Sequence, residues 1–177
     1  TMHVRNFLYS SSLLACLFIG TSCAHRTENL TEKTQRIHNL RAALQQLAPN
    51  STPQAAQQLA ETAVNTAEQL RENYQVTLAP WLHNIEVNSG IKQRGLCYQY
   101  AKDLAVAVQP ALAPYWQMYR VQARPKQLLE HNAIVIVGKN QPWQSGIVLD
   151  AWRNAGVLYF GAVTKDKYPW QLKQNHP

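Results

Sequence analysis

A chain of 177 residues, 46% of them hydrophobic, has the length of one domain and enough apolar matter for a core. Lysine and arginine outnumber aspartate and glutamate by 17 to 10, for a net charge of +7. The charges are scattered, with Lys165, Lys167 and Lys173 as the only loose basic cluster. No stretch alternates basic and aromatic residues, which argues against a nucleic-acid groove.

The first segment has the pattern of a secretory signal. Arg5 supplies a positive start, residues 7–20 are largely apolar, and Thr21, Ser22 and Cys23 precede a polar run. The apolar part falls short of the roughly 20 residues that a membrane span needs. A cysteine directly after small residues resembles a bacterial lipoprotein signal. That resemblance implies Cys23 as the lipid-bearing residue and a place on the periplasmic side of a bacterial envelope. Leu13-Leu14-Ala15-Cys16 is a second match, with a shorter apolar centre. Residues 1–23 are thus expected to be the signal and 24–30 a tether. Residues 31–177 form one domain that opens with a helical segment, 31–88.

Ile37, Leu40, Leu44 and Leu47 recur at steps of three and four, one face of an amphipathic helix. Thr52-Pro53 is an N-cap followed by proline at the first helical position. From there Ala56, Leu59, Ala60, Ala63, Val64, Ala67, Leu70 and Tyr74 predict a second long helix. Pro80 opens a shorter unit with Trp81, Leu82 and Ile85 apolar, closed by the turn signal Asn88-Ser89-Gly90. Leu96, Tyr100, Leu104 and Val108 step by four and predict a buried helix that Pro110 ends. The period then changes to two. Strands are predicted over 116–123, 133–137, 147–149 running into Asp150, and 157–163, with hairpin loops at 138–146 and 153–156. Helices first and an antiparallel sheet after them make the fold class α+β.

Cys97 is the only cysteine beyond residue 23. In an oxidising compartment a thiol without a disulfide partner is a hazard unless it is buried or used. A thiol becomes a nucleophile on losing its proton, and a helix N-terminus with a nearby histidine favours the thiolate. Cys97 stands in the first turn of the Leu96 helix. Gly95 before it lets the backbone approach closely and leaves amide N–H groups for a developing oxyanion. His131 opens one predicted strand and Asp150 ends the next. If those strands pair, Asp150 would hold the His131 tautomer and stabilise the imidazolium.

Arg94-Gly95-Leu96-Cys97-Tyr98-Gln99-Tyr100-Ala101, Glu130-His131-Asn132-Ala133 and Val148-Leu149-Asp150-Ala151-Trp152 resemble the transglutaminase-like fold of cysteine enzymes. That group includes bacterial transglutaminase-like cysteine proteinases and is related to the papain-like group. The resemblance covers about residues 90–163. It implies Cys97 as nucleophile, His131 as general base and acid, and Asp150 as orienter. Papain-like relatives carry a glutamine before the cysteine as an oxyanion donor, and Gln93 is the candidate here. The family often has tryptophan two residues after the histidine, where this chain has Ala133. The helices before Gly90 match no part of that pattern.

Trp152 and Trp143 are candidates to floor a substrate cleft. His83 reads as a satisfied surface or core histidine, and His25, His38 and His176 lie in tether, polar helix face and tail. None has a second ligand at metal-binding spacing, and no glycine-rich phosphate loop occurs, so no metal or cofactor is expected. The function expected first is an envelope-associated thiol hydrolase, acting through an acyl-enzyme on a peptide or isopeptide bond of an envelope protein or cell-wall peptide. Transglutamination or glutamine deamidation would use the same three residues. A non-catalytic lipoprotein scaffold, binding through helices 31–48 and 53–75, is the third possibility.

Overall fold

The computed structural model describes residues 28–173. Cys16, Cys23, His25, His176 and the signal segment lie outside the described residues. Four helices come first. α1 (Leu30–Leu47) starts on a capping box, in which Asn29 and Glu32 each accept the other's backbone N–H. α2 (Pro53–Asn73) starts where Thr52-Pro53 predicts, with the Thr52 hydroxyl accepting from Ala55 N at 3.1 Å. α3 (Pro80–Asn88) is short, and α4 (Cys97–Val108) runs into a 3-10 turn at Gln109–Ala111.

Five strands follow: β1 (Trp116–Ala123), β2 (His131–Gly138), β3 (Ile147–Asp150), β4 (Tyr159–Ala162) and β5 (Trp170–Leu172). They form one antiparallel sheet in the order β4-β3-β2-β1-β5. The α+β reading therefore holds, with α4 and its 3-10 extension packed on the sheet. Alternation along β2 explains its apolar run. Ile134 and Ile136 face the helices, with Leu149 of β3, Leu104 and Val108 of α4, and Leu40, Leu44 and Leu59. Ala133, Val135 and Val137 face the other way, onto Val121, Val148, Val163 and Trp170. A strand covered on both faces reads as continuous apolar sequence.

The N-terminal helices complete this core. The Trp116 indole donates to Leu44 O at 3.0 Å, and Leu40 and Leu44 are fully buried.

Trp81 and Ile85 of α3 are exposed, and the residue that α3 buries is His83, in keeping with its reading as a satisfied histidine. Its two ring nitrogens are occupied, by Arg94 O at 2.9 Å and Glu86 Oε2 at 3.2 Å, which allows an imidazole to serve as core. The strand expected over 157–163 shortens to β4, because Val157 belongs to a turn closed on Asn154 O and Val163 starts a 3-10 turn. β5 was not foreseen. It is three residues long and follows Pro169, two features that hide a strand, and it is held by pairing with Val121, Gln122 and Ala123 of β1.

Candidate active site

Cys97 is the first residue of α4, so its N–H and that of Tyr98 point out of the helix with no intrahelical acceptor. The turn before it is tightly specified. Gly95 has φ +128°, a region unfavourable to side chains, and a Cβ there would collide with the His83 ring. The Gln99 side chain accepts from both Gly95 N at 2.7 Å and Leu96 N at 3.0 Å. Those two amides are therefore not free for an oxyanion, contrary to the expectation for Gly95, and the helix-start amides without an intrahelical acceptor are those of Cys97 and Tyr98. Arg94 and Tyr74 both bond Asp103 Oδ2, at 2.7 and 2.6 Å, tying the loop to α2 and α4. Burial and the adjacent Asp103 carboxylate push the Tyr74 phenol up to about 12, so it stays a donor.

His131 and Asp150 project from the same sheet face, because β2 and β3 are antiparallel neighbours with Ile134 opposite Leu149. His131 Nε2 and Asp150 Oδ2 are 2.6 Å apart and both residues are buried, at 2% and 1% exposed. Asp150 accepts three further bonds. Oδ1 takes the backbone N–H groups of Trp152 at 3.1 Å and Arg153 at 3.0 Å, and Oδ2 takes Arg153 Nε at 3.0 Å. Burial alone would raise the carboxyl, but the His131 bond and the Arg153 charge hold it below the ordinary carboxylate value. Arg153 is itself fixed by Asp166 at 2.8 Å and by the Tyr159 ring, 3.7 Å below its guanidinium.

With Nε2 taken, the proton-transfer atom left on His131 is Nδ1. It is buried and has no hydrogen-bond partner of good geometry among the described residues. Cys97 is nonetheless close enough to act on the imidazole. Burial lowers the ring's affinity for a proton, while bonding and charge attraction from Asp150 and from Cys97 outweigh that and lift its pKa to about 9. Trp152, Tyr168 and Trp170 surround the ring at centroid distances of 4.9, 4.6 and 5.5 Å. The imidazole is thus locked in place and shielded from water.

The Cys97 thiol lies 3.8 Å from the Glu130 carbonyl oxygen and 3.8 Å from Asn132 Nδ2. Lys173 Nζ donates to Asn132 Oδ1 at 2.6 Å, and Asn132 Nδ2 also donates to Glu130 Oε1 at 3.1 Å. A cavity of about 390 Å³ opens beside this group, lined by Gln122, Lys126, Glu130, Gln171, Leu172 and Lys173.

The structure thus brings Cys97, His131, Asp150 and Trp152 together. The Trp152 indole also donates to Asn84 of α3 at 3.2 Å, so this ring spans the site and the helical layer. Gln93 is exposed and lines a different cavity, with Asn73, Gln75 and Arg94. Trp143 lies in a 3-10 turn joining β2 to β3, at the end of β2 away from His131, roughly 23 Å along the strand. It packs with the Val121 cluster.

Arg153, Asp166, Asn132, Tyr168, Trp170 and Lys173 were missed. Asp150-x-x-Arg153 is a readable i,i+3 pair and Asn132 directly follows His131 in β2, but Asp166, Tyr168, Trp170 and Lys173 reach the site only through the path of the chain after β4. Among the described residues no helix is long and apolar enough to cross a membrane, and no three His, Cys, Asp or Glu side chains form a metal-holding group. No family model, curated protein or solved structure matches the chain.

Proposed function

We propose that this protein is a thiol hydrolase of the transglutaminase-like type, with Cys97 as nucleophile, His131 as general base and acid, and Asp150 as orienter. The observation that carries the reading is the buried His131–Asp150 pair at 2.6 Å, with its free Nδ1 beside the one cysteine of the described chain. A structural histidine would have both nitrogens satisfied, as His83 does. His131 instead keeps one buried nitrogen unspent next to a thiol at a helix start.

In the proposed reaction the Cys97 thiolate attacks an amide carbonyl carbon. The S–C bond forms and the carbonyl π pair moves onto oxygen. When the oxyanion collapses, the C–N bond breaks and the Nδ1 proton of the imidazolium passes to the leaving amine, giving a thioester and neutral His131. Water then attacks the thioester, loses its proton to Nδ1, and the C–S bond breaks to release a carboxylic acid and the thiolate. The substrate class proposed from the N-terminal signal is an envelope protein or cell-wall peptide, met by an enzyme lipidated at Cys23 on the periplasmic side of a bacterial membrane.

The test is incubation of the wild-type protein and Cys97→Ala with cell-wall peptides and with a mixed peptide library, read by mass spectrometry. Wild type should release carboxylate products, and the alanine variant should lose at least about 10³-fold of that rate. Products carrying an added amine would assign acyl transfer to the same residues. Full activity in C97A, or a Cys97 inert to iodoacetamide at pH 7 in the folded protein, would sink the enzymatic reading and favour a scaffold.

A further inference from the structure

We infer that Asn132 supplies the side-chain donor of an oxyanion hole at Cys97, and that Lys173 polarises it for that role. This deepens the thiol-hydrolase reading and rests on it.

The orientation of the Asn132 amide is dictated by chemistry. The Lys173 ammonium has only donors, so the oxygen it meets at 2.6 Å must be Oδ1. The nitrogen end therefore faces the Glu130 carboxylate at 3.1 Å and the Cys97 sulfur at 3.8 Å. Glu130 accepts one amide hydrogen and fixes the amide plane, leaving the second hydrogen on the thiol side. Burial at 3% exposed holds Asn132 there.

An oxyanion donor must stand about 2.7–3.1 Å from where the oxyanion will be, not from the sulfur. That oxygen is two bonds from Sγ in the tetrahedral adduct, on the substrate side. A donor 3.8 Å from the sulfur is within reach of it, and its bonding partners Glu130 and Lys173 line the adjacent cavity. The Cys97 N–H, without an intrahelical acceptor, is the second donor. Gln93, exposed and lining another cavity, is not needed for the role. Lys173 acts through Asn132. Drawing on Oδ1 makes the N–H a stronger donor, and the ammonium offsets the Glu130 carboxylate, which would otherwise oppose a negative oxygen nearby.

The experiment compares two reactions of the same thiol in the full chain. p-Nitrophenyl acetate acylates through a tetrahedral oxyanion: the S–C bond forms, the oxyanion collapses, and p-nitrophenolate leaves. Iodoacetamide alkylates by direct displacement of iodide and forms no oxyanion. Asn132→Ala should slow the p-nitrophenolate burst about 100-fold while alkylation of Cys97 stays within about threefold of wild type. Lys173→Met, on a partly exposed residue, should slow the burst alone by a smaller factor, and Lys173→Arg should restore it. Equal losses in both reactions, or no loss in the burst, would overturn the assignment of Asn132. A wild-type protein that shows no burst and no adduct on Cys97 removes the thiol-hydrolase reading itself, and the oxyanion hole with it.

Discussion

His131 carries most of the chemical information at the site, and its protonation gives a signed prediction. Its folded pKa of about 9 lies above its ordinary value of about 6.5. Stabilisation from the imidazolium–carboxylate pair is therefore fully present below about pH 6.5 and lost as pH rises through 9. Asp150 is held below the ordinary carboxylate value, so its share is present above about pH 3.9 and lost as pH falls through its folded value. The advantage of wild type over Asp150→Asn should be largest between about pH 4 and 6.5 and shrink toward both extremes. Thermal melts of the two proteins across pH 4 to 10 check this, and a gap that widens from pH 6.5 to 9.5 would contradict it. Asp150→Asn also removes the ion pair with Arg153, but that guanidinium keeps its charge across the range, so the change in the gap above pH 6.5 reports the histidine.

At the scale of elements, the Gly95 turn and the start of α4 set the position of the thiol. The backbone there is left-handed, and the space a Cβ would take belongs to His83, whose imidazole caps Arg94 O. Gly95→Ala should therefore cost about 1–3 kcal/mol from backbone strain, plus the displacement of His83, measured by urea unfolding. The same change should slow alkylation of Cys97, because the thiol moves relative to His131 Nδ1. Much of this element was legible in the sequence. The four-residue steps of Tyr100, Leu104 and Val108, and Gly95 just ahead of them, mark a helix start with Cys97 in its first turn. Hidden was the use of the preceding amides. Gln99 lies three residues after the N-cap Leu96, a capping position, and spends the Gly95 and Leu96 N–H groups on its own carbonyl oxygen.

Over the whole molecule, the N-terminal helices and the sheet share one core. Leu40, Leu44, Leu59 and Leu70 are buried on the layer that covers Ile134, Ile136 and Leu149. Removing four buried leucines forfeits about 2 kcal/mol each, which approaches the whole stability of a domain, about 5–15 kcal/mol. A chain that begins at Pro80 should show no cooperative thermal transition by circular dichroism. A truncated protein that melts cooperatively would instead mark residues 30–73 as a separable cover.

By itself the sequence determined what is local: the cap at Thr52, the helical and strand periods, the α+β order, and three chemically suitable side chains at element ends. These follow from hydrogen bonds and side-chain spacing within a few residues. The tertiary structure decided what stands around those three. β1 pairs with β5, and that register carries Lys173 to Asn132, 41 residues away. The turn after β4 leads the chain back so that Asp166 meets Arg153 and Tyr168 and Trp170 close over His131. No short-range pattern encodes those meetings, because they depend on strand order and register across the sheet. They also set the environment of the thiol, from the unspent Nδ1 of His131 to the amide of Asn132.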